Sequence, residues 1–133
     1  MAKIMIVDDS ALIQAMLETC LTPLGHEVVK VTDGRSVVPA LNEHKPDLLI
    51  LDYQMPGTSG VEVYGRVRRE KVGEKVPVIF LSAAESYELA DVIPKTPLVR
   101  IFQKPVNLIE LQRVVGEMLP PPPSARSGPL PEF

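Results

Sequence analysis

The chain has 133 residues, 45% of them hydrophobic and 23% charged, with a formal net charge of -3. That is enough for one packed domain but not for an eightfold barrel, which takes roughly 250 residues, and the slight acidity gives no global pull toward nucleic acid or an anionic membrane. The single cysteine, Cys20, excludes an internal disulfide, no apolar run approaches membrane-spanning length, and Met1-Ala2-Lys3 leads into an apolar run without a secretory leader, so the expected location is the cytoplasm.

Lys3-Ile4-Met5-Ile6-Val7 reads as a first strand that ends on acid, Asp8-Asp9. Ser10 then has the position of a helix N-cap, and Ile13, Met16, Leu17, Cys20, Leu21 and Leu24 recur at helical spacing until Pro23 and Gly25 stop it. Cys20 lies on that stripe and is expected to pack rather than react. Glu27-Val28-Val29-Lys30-Val31 is a second strand, and Asp33-Gly34 a turn. A weaker helix follows over roughly 35–43, with Val37, Val38 and Leu41 inward and Pro39 expected to shorten or bend it.

Leu48-Leu49-Ile50-Leu51-Asp52 is an unbroken aliphatic run ending on a carboxylate, the pattern of a strand buried on both faces of a parallel sheet. Tyr53-Gln54-Met55-Pro56-Gly57 turns the chain, because Pro-Gly continues neither strand nor helix. Ser59 and Glu62 have capping-box spacing before a helix with Val61, Tyr64 and Val67 inward, and Arg66, Arg68, Arg69, Glu70 and Lys71 are expected to form its solvated side and end. A fourth strand, 76–81, ends on Ser82. A short helix is expected over 83–93, ended by Pro94 and Pro97. A fifth strand, 99–102, precedes Gln103-Lys104-Pro105. Asn107 and Glu110 form a second capping pair before a helix bearing Leu108, Leu111, Val115 and Met118. From Pro120 the composition changes: six of the fourteen prolines fall in the last fourteen residues, so 120–133 is expected to be a proline-rich tail or linker without fixed structure, leaving 1–119 as the domain.

Strands alternating with helices predict an α/β fold, a parallel five-stranded sheet with helices on both faces. Four strand ends carry polar residues: Asp8-Asp9, Asp52, Ser82 and Lys104. A parallel sheet brings them to one edge, where ligands bind. Three carboxylates close together repel unless a cation joins them, and an all-oxygen donor set without His or Cys suits Mg2+. A carboxylate beside Mg2+ and a Lys ammonium can attack an activated phosphorus to give an aspartyl phosphate, with the Ser82 hydroxyl able to bond a phosphoryl oxygen.

In Ile6-Val7-Asp8-Asp9-Ser10, Leu51-Asp52-Tyr53-Gln54-Met55-Pro56-Gly57 with Gly60, Leu81-Ser82-Ala83 and Lys104-Pro105, the chain resembles the receiver domain of two-component response regulators over roughly 2–119. The resemblance implies a flavodoxin-like, doubly wound sheet in the order 2-1-3-4-5. It implies Asp52 as phosphoacceptor from a histidine kinase or phosphotransfer protein. Asp9, Asp52 and the backbone carbonyl of Gln54 would be Mg2+ ligands, with Asp8 acting largely through water. Ser82 would be the switch hydroxyl and Lys104, before a cis peptide, the cation pairing with the phosphate. An unidentified protein target would read the switched face; no DNA-reading segment is present.

Two departures bear on the readout. Ile101 stands where the family usually has Tyr or Phe, and strand alternation puts Phe102 on the other face. Thr96-Pro97-Leu98 replaces the usual Gly-Ala pair, which with Pro94 predicts an irregular fourth helix. Gln54 and Ala84 match positions bordering the phosphoryl group. His26 and His44 are expected to be surface residues at helix-strand junctions, and Tyr53 to pack on a sheet face. The alternative to a phosphorylation-driven switch is a phosphorylation-independent interaction module. A metal-dependent phosphatase would want a second acid two residues after Asp52, where Gln54 stands.

Overall fold

Unbroken aliphatic runs give the three inner strands two greasy faces, and the chain covers both with helices. A computed structural model describes residues 2–55, 57–83, 93 and 96–119. Its elements are β1 (Lys3–Val7), α1 (Ala11–Leu21), β2 (Glu27–Val31), α2 (Val37–His44), β3 (Leu48–Asp52), β4 (Gln54–Met55), β5 (Thr58–Ser59), α3 (Gly60–Arg69), β6 (Val78–Ser82), β7 (Val99–Gln103) and α4 (Leu108–Met118). The main sheet runs β2-β1-β3-β6-β7, all parallel, which is the expected 2-1-3-4-5 once the two-residue strands β4 and β5 are set aside. The expected helix over 83–93 falls largely outside the described residues, as do Pro56, Ala84, Pro94 and the proline-rich segment 120–133.

Period-two alternation divides the core cleanly. Met5, Val7, Leu49, Leu51, Val78 and Phe80 face one side, under Val37 and Leu41 of α2 and Val63 and Val67 of α3. Ile4, Ile6, Leu48, Ile50, Ile79 and Leu81 face the other, under Leu17 and Leu21 of α1 and Leu111 and Val115 of α4. All five residues of β3 are buried, as are all five of β6. Each fully buried aliphatic side chain here contributes about 1.5–3 kcal/mol of transfer free energy. Among the described residues no helix is long and apolar enough to cross a membrane.

The caps form where the sequence places them. Ser10, Ser59 and Asn107 accept from the backbone N–H groups of Ile13, Glu62 and Glu110. Glu110 does not complete a reciprocal box; it pairs instead with Arg113 on the exposed face of α4. Cys20 is buried, with its Sγ 3.6 Å from the carbonyl of Leu108, and burial pushes its thiol up, so it packs as expected.

Several expectations need correction. On α1, Met16 and Leu24 are exposed (38% and 49%), while Gln14 is buried. The chain leaves α1 through a 3-10 turn, Thr22–Leu24, so Leu24 no longer follows the helical period. Pro39 does not break α2, which starts at Val37 after a 3-10 turn, Gly34–Ser36, rather than at the expected Arg35. It is the third residue of Val37–His44, where its missing N–H has no intrahelical acceptor to lose. Nor is Arg68 simply solvated. Its guanidinium lies 4.7 Å from the Tyr64 ring centroid and donates to the carbonyls of Gly73 (3.0 Å) and Val76 (2.6 Å), tying the end of α3 to the approach to β6.

Lys45 ends α2 in the left-handed region (φ 48°, ψ 62°), with its N–H on the carbonyl of Leu41. Only glycine reaches that conformation without a steric penalty on Cβ. Lys45→Gly is therefore expected to stabilise the fold by about 0.5–1 kcal/mol. The measurement is a higher urea midpoint at unchanged m-value.

Candidate functional site

Because the five strands are parallel, the residues at their carboxyl ends share one edge. Asp8 follows β1, Asp52 closes β3, Ser82 closes β6 and Lys104 follows β7. Register holds the last three together: Asp52 pairs with Leu81, and Ser82 with Gln103. The backbone N–H of Lys104 then donates to the carbonyl of Ser82 at 2.7 Å, and the Lys104-Pro105 peptide is cis.

One carboxylate oxygen from each of Asp8, Asp9 and Asp52 lies within 4.8 Å of the other two. Asp8 is fully buried, Asp52 nearly so, and Asp9 exposed. Lys104 Nζ sits 3.5 Å from Asp8 Oδ2 and 3.3 Å from Asp52 Oδ1. Asp52 Oδ1 also accepts from the N–H of Gln54 at 3.3 Å, and Asp8 Oδ1 from the N–H of Ser10 at 2.8 Å. One ammonium faces three acids, so the cluster carries surplus negative charge. Asp8 Oδ2 is buried without a hydrogen-bond partner among the described residues. A buried carboxylate oxygen left this way asks for a cation, and a donor set made only of oxygen fits a hard one such as Mg2+.

The loop after Asp52 is held against the sheet. Tyr53 N–H donates to the carbonyl of Leu81 (2.8 Å), and Gly60 N–H to that of Tyr53 (2.6 Å). Between them Gln54–Met55 and Thr58–Ser59 pair antiparallel, an addition to the turn that Pro-Gly predicts here. A Cβ on Gly60 would stand 2.8 Å from both the carbonyl oxygen of Asp52 and the Cα of Tyr53, so only glycine lets α3 begin this close to the acid. Tyr53 packs, half-buried, on the α2–α3 side of the sheet, as expected. Ile101 packs on that same side and Phe102 on the opposite one, as strand alternation predicts. His26 and His44 precede β2 and β3, which puts them at the edge away from the acids. Sequence reasoning missed Gln14. Its signal was a polar residue in phase with Leu17 and Leu21, at spacings of three and seven.

Burial, and next the charge of Asp8, raise the pKa of Asp52 above its ordinary value; Lys104 and the Gln54 N–H pull the other way without cancelling them. A carboxyl whose folded pKa is raised loses stability as pH climbs from the unfolded value through the folded one. At pH 7 in metal-free buffer, Asp52→Asn is therefore expected to raise Tm by several degrees. The gain should shrink as pH falls toward 3.8, and shrink also when Mg2+ is added, because the cation stabilises the native acid cluster by mass action. Paired thermal melts across pH, with and without MgCl2, check both signs.

The sequence matches the family described as response regulator receiver domain over residues 4–116. It is 36% identical over 80 residues to the phosphate regulon transcriptional regulatory protein PhoB of Pseudomonas aeruginosa; that alignment covers 60% of this chain and 35% of the relative. The chain thus spans about a third of that curated relative's length. Among solved structures, the chemotaxis response regulator CheY4 of Vibrio cholerae superposes with a TM-score of 0.82 at 28% identity, covering 90% of this chain and 99% of that one. The response regulator TrrA of Thermotoga maritima, solved in complex with Mg(2+)-BeF, superposes with a TM-score of 0.77 at 30% identity, covering 90% and 100%. With its sheet order, its acid cluster and the match over 4–116, this chain belongs to the response regulator receiver domain family.

Proposed function

We propose that this chain accepts a phosphoryl group on Asp52 from a histidine kinase or phosphotransfer protein, in a Mg2+-dependent reaction, and that the acyl phosphate switches a face read by a protein target. The observation that carries the reading is the pairing of a buried Asp52 with Lys104 at 3.3 Å inside a cluster of three acids. Asp9, Asp52 and the carbonyl of Gln54 would hold Mg2+ directly and Asp8 through water; bound there, the cation offsets charge on the transferring phosphoryl oxygens.

The protein's own groups do the rest. An Asp52 carboxylate oxygen attacks the phosphorus of a phosphohistidine. The new O–P bond forms as the P–N bond breaks, and its electrons leave with the imidazole, which takes a proton from water. A raised Asp52 pKa marks a carboxylate poorly solvated in the ground state, which favours nucleophilic attack once the surrounding charge is balanced. Lys104, already at ion-pair distance, stays with the oxygens as charge moves outward from Asp52 onto the phosphoryl group. Ser82 closes the neighbouring strand and supplies a hydroxyl for a phosphoryl oxygen. The phosphoryl group of the product carries about one and a half to two negative charges and three acceptor oxygens, in place of the single charge of the Asp52 carboxylate, and sets them beside Ser82 and Lys104, which biases the loops after β6 and β7 toward a second packing.

Incubation with acetyl phosphate and Mg2+, read by intact mass, tests this. One phosphoryl group should add; Asp52→Ala and chelation of Mg2+ should each abolish the gain, and Lys104→Ala should slow it by about tenfold or more. Absence of any gain with acetyl phosphate and with a panel of histidine kinases would leave a phosphorylation-independent interaction module as the function.

A further inference from the structure

Gln14 is a polar side chain in the middle of the apolar seam between α1 and the sheet, only 3% exposed. Its Nε2 donates to three carbonyls at the carboxyl ends of β1 and β2: Ile6 and Asp8 at 3.1 Å and Val31 at 2.8 Å. Three acceptors around one nitrogen fix which end of the amide points at the sheet. Its Oε1 is buried with no hydrogen-bond partner among the described residues. A Leu or Met at this place would fill the seam without an unpaired oxygen, so packing alone does not account for an amide.

What the amide holds is Asp8. The ladder of β1 ends at Val7, paired with Val31 on one side and Leu51 on the other. Beyond it, Asp8 N–H donates to the Val31 carbonyl at 3.1 Å, the Asp8 carbonyl accepts from Gln14, and Asp8 Oδ1 accepts from the N–H of Ser10. Gln14 N–H in turn donates to the carbonyl of Ser10 at 3.1 Å, which closes a ring from Asp8 through Ser10 and Gln14 back to Asp8. Three of the four polar atoms of Asp8 are thereby fixed, and the fourth, Oδ2, is left aimed into the acid cluster, 3.5 Å from Lys104 Nζ. We propose that Gln14 is a positioning residue for the Mg2+ site: from α1, its buried amide holds the backbone of Asp8, and so sets the direction of the Asp8 carboxylate. The inference rests on the receiver reading of the acid cluster. Groups that orient a metal-site residue from behind weaken the site when removed even though they touch no metal.

The test is a titration of the full chain with MgCl2, followed by amide shifts around Asp8 and Asp52. Gln14→Met, which keeps the volume and removes the donors, should bind Mg2+ about tenfold more weakly. In acetyl-phosphate labelling it should raise the Mg2+ concentration at half rate by a similar factor while leaving the rate at saturating Mg2+ close to that of the native protein. Leu41→Ala, a core truncation under α2, should lower Tm and leave the Mg2+ midpoint unmoved. In the native protein the Gln14 side-chain amide should be protected from exchange and shift with the same Mg2+ midpoint as the Asp8 amide, a readout that does not depend on the variant folding. An unchanged Mg2+ midpoint in Gln14→Met, or a Gln14 amide indifferent to Mg2+, overturns the inference and leaves the phosphoacceptor reading standing. A native protein that binds no Mg2+ overturns both.

Discussion

Three carboxylates packed against one ammonium at the edge of a sheet are the constraint around which this molecule is built. Such a cluster is unfavourable in isolation: Asp8 is fully buried, Asp52 nearly so, and burial raises the pKa of Asp52. It persists because the two strands that bring the acids in, β1 and β3, are adjacent and fully buried from Ile4 to Val7 and from Leu48 to Asp52. Hydrophobic burial on both faces offsets an arrangement that electrostatics alone would scatter. Charge poorly solvated in the resting state is charge that a bound cation can relieve.

Backbone contacts, more than side chains, hold the geometry. Gly60 lies against the carbonyl of Asp52, Tyr53 N–H reaches across to β6, and Lys104 N–H reaches the carbonyl of Ser82. The loops after β3 and β7 are therefore both stitched to β6, the strand that carries Ser82. A change in the position of Ser82 has a direct mechanical route into both loops through hydrogen bonds already in place. Ile101 and Phe102 divide the outer strand between the two cores, so an aliphatic side chain, not a ring, occupies the face shared with α2 and α3.

Much of this was legible in the residues. Runs of four or five aliphatics ending on acid, hydroxyl or the residue before lysine specify strands whose ends share an edge once the sheet is parallel, and the helical periods between them specify parallel connections. β1, β2, β3 and α4 fall where the residues place them, and Ser10, Ser59 and Asn107 cap the helices as their spacing indicates. The acid cluster follows from order alone, because parallel pairing leaves those ends nowhere else to go.

Other features could not be read along the chain, because they depend on what lies across a gap. Gln14 and Met16 look alike to periodicity, yet Gln14 meets three carbonyls at the ends of two strands while Met16 meets solvent. Arg68 looks like any cation at a helix end until Tyr64, Gly73 and Val76 surround it. Pro39 is harmless only because α2 starts two residues before it, and the need for glycine at position 60 arises only when α3 is laid against Asp52. The sequence by itself determined the layers and the identity of the groups at the strand ends, since these follow from short-range periodicity and connection rules; the strand order 2-1-3-4-5 was implied only by the resemblance to receiver domains. Tertiary structure alone decided which polar side chains are buried and how the Asp8 carboxylate is aimed, because those depend on hydrogen-bond partners brought together from distant parts of the chain.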